Sequence, residues 1–124
     1  MALASSLGLQ LMSCGDDEPK LEFDGELTID LTDPDYEPLL EESGWILHPD
    51  VNVLIINVNQ EIRAFTSVCP HSQCLREWDY SPGVITCTCH NSKFDSTGQY
   101  LSGPANANLR EFSVNQEGVI IKIG

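Results

Sequence analysis

Val51-Asn52-Val53-Leu54-Ile55-Ile56-Asn57-Val58, then Asn59-Gln60, then Glu61-Ile62-Arg63-Ala64-Phe65, reads as a hairpin. Its first run is the most hydrophobic in the chain and rich in β-branched residues, which suits a well-buried strand. Asn59-Gln60 is the expected turn and Glu61 to Phe65 the returning strand. On the C-terminal side, Ser81-Pro82-Gly83 is a turn signal leading into a short strand at Val84-Ile85-Thr86. Phe112-Ser113-Val114 and Val119-Ile120-Ile121-Lys122-Ile123 flank Asn115-Gln116-Glu117-Gly118, the pattern of a closing hairpin. On the N-terminal side, Leu27-Thr28-Ile29-Asp30-Leu31 alternates apolar and polar residues until Asp33-Pro34-Asp35 breaks it. No segment carries an apolar stripe at helical spacing, so the expected fold is all-β, a compact antiparallel sandwich or barrel. Two loops, Cys69 to Cys74 and Cys87 to about Gly98, interrupt it.

The chain has 124 residues. The expected organisation is one domain over residues 20–124, long enough for a real core, preceded by a distinct segment 1–19. Nineteen acidic residues against six basic ones leave a net charge of −13. Such a surface repels nucleic acid and anionic headgroups and favours a partner with a basic docking face. Met1 to Cys14 is apolar, rich in small residues and uncharged, and Asp16-Asp17-Glu18 follows. This start resembles a bacterial lipoprotein signal in which Cys14 is the lipidated residue. It is too short for the roughly 20-residue helix that spans a bilayer. The expectation is an extracytoplasmic, periplasmic or cell-envelope protein held to the membrane by a lipid anchor only.

The two loops carry the chemistry. Cys69-Pro70-His71-Ser72-Gln73-Cys74 and Cys87-Thr88-Cys89-His90-Asn91-Ser92 concentrate four cysteines and two histidines. Two thiolates and two imidazoles can make a tetrahedral zinc site. The spacing argues otherwise, because each loop offers a mixed pair, C-x-H and then C-x-x-H. Mixed pairs suit a binuclear cluster in which one iron takes thiolates and the other imidazoles, since each loop then reaches both irons.

This pattern, with 15 residues between His71 and Cys87, resembles the Rieske [2Fe–2S] proteins over roughly residues 45 to 123. The likeness is strongest to the disulfide-containing cytochrome bc type and the arsenite-oxidase small subunit. The resemblance implies a [2Fe–2S] cluster with Cys69 and Cys87 on one iron and His71 and His90 on the outer one. It also implies a disulfide between Cys74 and Cys89, which fits an oxidising compartment. Leu101-Ser102-Gly103-Pro104-Ala105 matches the loop, with Pro104, that covers the cluster. Ser92 matches a serine whose hydroxyl donates to a bridging sulfide and so raises the potential. Phe94 replaces a tyrosine that donates to a ligand sulfur in the highest-potential members, which implies a lower potential here. Asn91 stands where glycine is common, and asparagine tolerates positive φ. Ser72 and Gln73 replace the apolar residue and glycine of quinol-oxidising members.

The resemblance therefore implies a one-electron carrier acting with a redox protein, a cytochrome or oxidoreductase subunit of a membrane or periplasmic complex. It has no complete substrate-converting site of its own. A ferredoxin component of an aromatic-ring oxygenase and a zinc or structural module are the alternatives. A terminal oxygenase is excluded, because only His48 remains for a mononuclear iron that needs two histidines and a carboxylate. Trp45, Trp78, Tyr80 and Tyr100 are expected to pack beside the core and the loops. His48, beside Pro49-Asp50, is expected to be an exposed loop residue, and Asp95 to cap nearby backbone amides.

Overall fold

The computed structural model describes residues 22–71 and 74–124. Among them are eleven strands: β1 Leu27–Asp30, β2 Trp45–Leu47, β3 Val53–Val58, β4 Glu61–Thr66, β5 Trp78–Ser81, β6 Val84–Cys87, β7 Ser92–Phe94, β8 Tyr100–Ser102, β9 Glu111–Phe112, β10 Val114–Glu117 and β11 Ile120–Ile123. They form three antiparallel sheets in the orders β9-β4-β3-β2, β8-β7-β6-β5 and β10-β11-β1. The first lies between the other two. Val53 and Ile55 of β3 pack with Ile29, Ile121 and Ile123, whereas Leu54, Ile56 and Val58 pack with Trp78, Ile85 and Phe94. Alternate side chains of a strand point to opposite faces, so every residue of β3 is buried. That explains its nearly continuous hydrophobicity; its one polar residue, Asn57, donates its side-chain amide to the Leu39 carbonyl at 3.0 Å. Each buried Val, Leu or Ile there contributes about 1.5–3 kcal/mol. The layers are stacked open sheets, a sandwich and not a closed barrel.

The β3–β4 hairpin turns where expected. Asn59 and Gln60 both have positive φ, 56° and 67°, the combination a two-residue turn of the primed type requires. The Glu42 carboxylate accepts from both backbone N–H groups and from the Gln60 side-chain amide, which holds the turn.

Three features differ from expectation. The break at Asp33-Pro34-Asp35 opens a 3-10 helix, Pro34–Leu40, with Asp33 capping the Asp35 N–H and Pro34 in its first turn. It is too short for a periodic stripe and contains Pro38, so helical spacing could not reveal it. Phe112-Ser113-Val114 is two strands, not one. Glu111–Phe112 pairs with β4 and Val114–Glu117 with β11, so the chain leaves the central sheet for an outer one at Ser113. The final turn is Gly118-Val119, because Asn115 to Glu117 pair with Ile120 to Lys122. Among the described residues no helix is long and apolar enough to cross a membrane. The segment containing Cys14 lies outside the described residues.

Candidate metal centre

The layer β5–β8 presents both cysteine–histidine loops at one end. Cys69 closes the first loop through a hydrogen bond from its N–H to the Cys74 carbonyl at 3.3 Å. Trp78 steadies the approach to it, its indole N–H donating to the Ser67 carbonyl at 2.9 Å. The second loop leaves β6 at Cys87 and re-enters β7 at Ser92. It turns on Asn91, whose φ is 63°, as its tolerance of the left-handed region allows. A disulfide joins Cys74 to Cys89 and so ties the loops together.

The remaining four residues fall into two pairs. Cys69 and Cys87 are free and buried. Burial pushes the Cys87 thiol up to about 11, and its hydrogen bond with Cys69 adds to this; backbone N–H groups of Cys89 and His90 act the other way. Two thiols therefore face one another in a dry pocket with amide donors aimed at sulfur. His71 and His90 are exposed, their rings edge to face with centroids 4.9 Å apart.

This division tests the choice of metal. A single tetrahedral zinc with bonds of about 2.0–2.3 Å holds its ligand atoms within about 4 Å of one another. Among the described residues the only group of three candidate ligand atoms that close is Cys74, Cys89 and His90, and the two sulfurs there are spent in the disulfide. A thiol pair inside and an imidazole pair outside fit a two-iron group with one pair on each iron.

A third segment packs over the second loop. At Gly103, φ 98°, an added Cβ would lie 2.6 Å from the Asn91 carbonyl oxygen and 2.6 Å from the Ser92 Cα, so only glycine permits this approach. The Tyr100 hydroxyl donates to the Gly103 carbonyl at 2.5 Å. Ser92 is buried, and its Oγ accepts the Ala105 N–H at 3.0 Å. Pro104 is exposed beside it. Phe94 is buried against Trp78 and brings no hydroxyl. Asp95 accepts from the Thr97 N–H and hydroxyl and from the Gln99 N–H, the capping role expected of it. Those bonds hold its carboxyl below the ordinary value, that from the Thr97 side chain most. Trp78 and Tyr80 are buried in the core, with Trp45 and Tyr100 packed against it.

His48 is a correction. It is 6% exposed, because its ring packs against Tyr36 while the chain turns around it. Nδ1 accepts the Asp50 N–H at 3.1 Å. The neutral ring therefore carries its proton on Nε2, 3.2 Å from the Tyr36 hydroxyl. Burial holds this imidazole below its ordinary value; Asp50 opposes that shift and Arg76 reinforces it. Arg76 also donates to the His48 carbonyl at 2.9 Å, linking the disulfide-bearing loop to the central layer. Sequence reasoning missed His48 because its partner Tyr36 lies on the unforeseen 3-10 helix.

The family model for the Rieske [2Fe–2S] domain matches residues 41–113. A cytochrome b6-f complex iron-sulfur subunit of Chlorobaculum tepidum is 32% identical over 73 residues, covering 58% of this chain and 40% of that protein. Subunit 2 of the same name from the cyanelle of Cyanophora paradoxa is 33% identical over 78 residues, covering 60% and 32%. The match thus spans less than half of each relative. In structure, the chain resembles the plasma membrane Rieske protein PetC3 from Synechocystis PCC 6803, with TM-score 0.56 and 22% identity over 77% of this chain and 94% of that one. It likewise resembles the ferredoxin of carbazole 1,9a-dioxygenase from Nocardioides aromaticivorans, with TM-score 0.58 and 20% identity over 68% and 88%.

Proposed function

Because the chain belongs to the Rieske [2Fe–2S] domain family, we propose that it is a one-electron carrier whose cluster is held by Cys69, Cys87, His71 and His90. The observation that carries this reading is the division of those residues into a buried thiol pair and an exposed imidazole pair. When bound, such a cluster alternates between an oxidised and a one-electron-reduced state. The buried cysteines exclude water from the inner side. The histidines bring the outer side to the surface, where a partner can approach. The Cys74–Cys89 bridge holds the two loops in register, and Gly103 to Ala105, with Ser92 beneath, close the third side.

The setting follows from the disulfide, which persists in oxidising compartments, and from the relatives named as cytochrome b6-f subunits. The protein works outside the cytosol as a subunit or partner of a membrane redox complex, anchored by lipid at Cys14. Its partner is a redox protein with a basic docking face. The acidic charge that attracts such a face is concentrated outside the cluster layer. Residues 66–109 carry three carboxylates against two cations, while residues 22–65 and 110–124 carry thirteen against three.

Iron and acid-labile sulfide analysis of the full chain tests the assignment. Two of each per chain are expected, with loss of both in Cys69→Ser and Cys87→Ser. Zinc in place of iron, or full cluster content in either variant, contradicts it.

A further inference from the structure

Three large hydrophobic side chains stand exposed among the described residues: Leu40 at 56%, Leu101 at 51% and Val119 at 46%. Leu101 lies on β8 beside the proline loop. The other two converge elsewhere. Leu40, at the end of the 3-10 helix, and Val119, in the β10–β11 turn, line a groove of about 390 Å³ with Leu31 and Pro34. Asp33 and Glu37 edge it, and neither has a cationic partner among the described residues. Leu31 belongs to the hydrophobic cluster between the central sheet and β10-β11-β1, on the side of the molecule away from the thiol pair.

We propose that this groove is a second docking surface, taking an amphipathic segment of a partner protein that presents apolar side chains to Leu40 and Val119 and lysine or arginine to Asp33 and Glu37. Exposed apolar area gathered in a concavity and rimmed by polar groups marks an interaction site. The charge selects the occupant. The rim carboxylates lie in the strongly acidic part of the chain, so a cationic segment is attracted and steered there. The chain's own apolar start is a poor fit, because Asp16-Asp17-Glu18 follows it. A second copy brings the same acidic rim. An occupant here holds the protein to its partner at a point remote from His71 and His90 and leaves them free. The proposal stands apart from the cluster assignment, since nothing in the groove touches the loops.

The test is fluorescence-detected binding of a labelled synthetic peptide of leucines and lysines at amphipathic helical spacing to the full-length, cluster-loaded chain. Binding that weakens about tenfold in Leu40→Asp, the worth of covering the exposed half of one leucine, is the expected result. It should weaken in Asp33→Asn/Glu37→Gln and with added salt, and stay unchanged in Leu101→Asp. All three sites are exposed, so circular dichroism should show each variant folded. No binding, binding indifferent to Leu40→Asp and the charge variant, or equal binding of a glutamate-for-lysine peptide overturns the proposal. Self-association in sedimentation that Leu40→Asp abolishes, or tighter peptide binding once residues 1–19 are removed, assigns the groove to a second copy or to the chain's own start and overturns it equally.

Discussion

The Ser92 hydroxyl accepts the Ala105 backbone N–H at 3.0 Å, joining the second cysteine–histidine loop to the proline loop through a side chain that is almost fully buried. A hydroxyl that accepts one bond keeps its own proton to give. Among the described residues that proton has no acceptor, so a bound cluster, if one of its sulfides lay within reach, would find a donor here.

Ser92→Ala removes the acceptor for the Ala105 N–H and the proton proposed for the cluster at once. A hydrogen bond that favours the reduced state by ~1 kcal/mol corresponds to about 40 mV in a one-electron couple, so the midpoint potential should fall by about that much. The stranded Ala105 N–H should cost a further 1–3 kcal/mol or so of stability. Protein-film voltammetry and denaturant titration check the two effects separately, and an unchanged potential refutes the donor role.

Cys74 and Cys89 are 15 residues apart, and closing a loop of that length stabilises a fold by about 3 kcal/mol in the chain-entropy account. Cys74→Ser/Cys89→Ser should lose stability on that scale and release iron faster. The visible absorbance of the cluster, followed in mild denaturant with and without reductant, measures this.

His48 makes stability depend on pH. Its imidazole is held below the ordinary value of 6.5 in the fold, so the unfolded chain binds the extra proton more readily. Its contribution is fully present above pH 6.5 and is lost as pH falls through the lowered folded value. Melting temperatures should drop as pH falls from 6.5 toward that lowered value. The drop should be shallower in His48→Gln, which cannot take up the proton. A wild-type profile flat between about pH 7 and pH 5 contradicts the linkage.

The sequence revealed those parts of the molecule whose physics is local. Strand β3 declared itself because a strand buried on both faces is apolar at nearly every position, Asn57 alone excepted. The Asn59-Gln60 turn and the left-handed Asn91 followed from what asparagine tolerates. The two cysteine–histidine loops were legible because each sets a cysteine two or three residues before a histidine. What escaped depends on distant partners. The passage of the chain between sheets at Ser113 is set by β4 and β11 and leaves no mark in the apolar pattern of Phe112 to Val114. His48 is buried by Tyr36, twelve residues away on a helix too short to show a period. The groove at Leu40 and Val119 joins the end of the 3-10 helix to the β10–β11 turn, far apart in the chain and each unremarkable alone.

If the paired thiols and imidazoles hold a Rieske cluster, the one-electron-reduced protein is paramagnetic. Electron paramagnetic resonance of the full iron-loaded chain, followed through a redox titration, tests it most directly. A Rieske-type signal in the reduced protein is expected, with a midpoint in the upper half of the family range of about −150 to +300 mV. A fully iron-loaded chain that gives no such signal at any potential contradicts it.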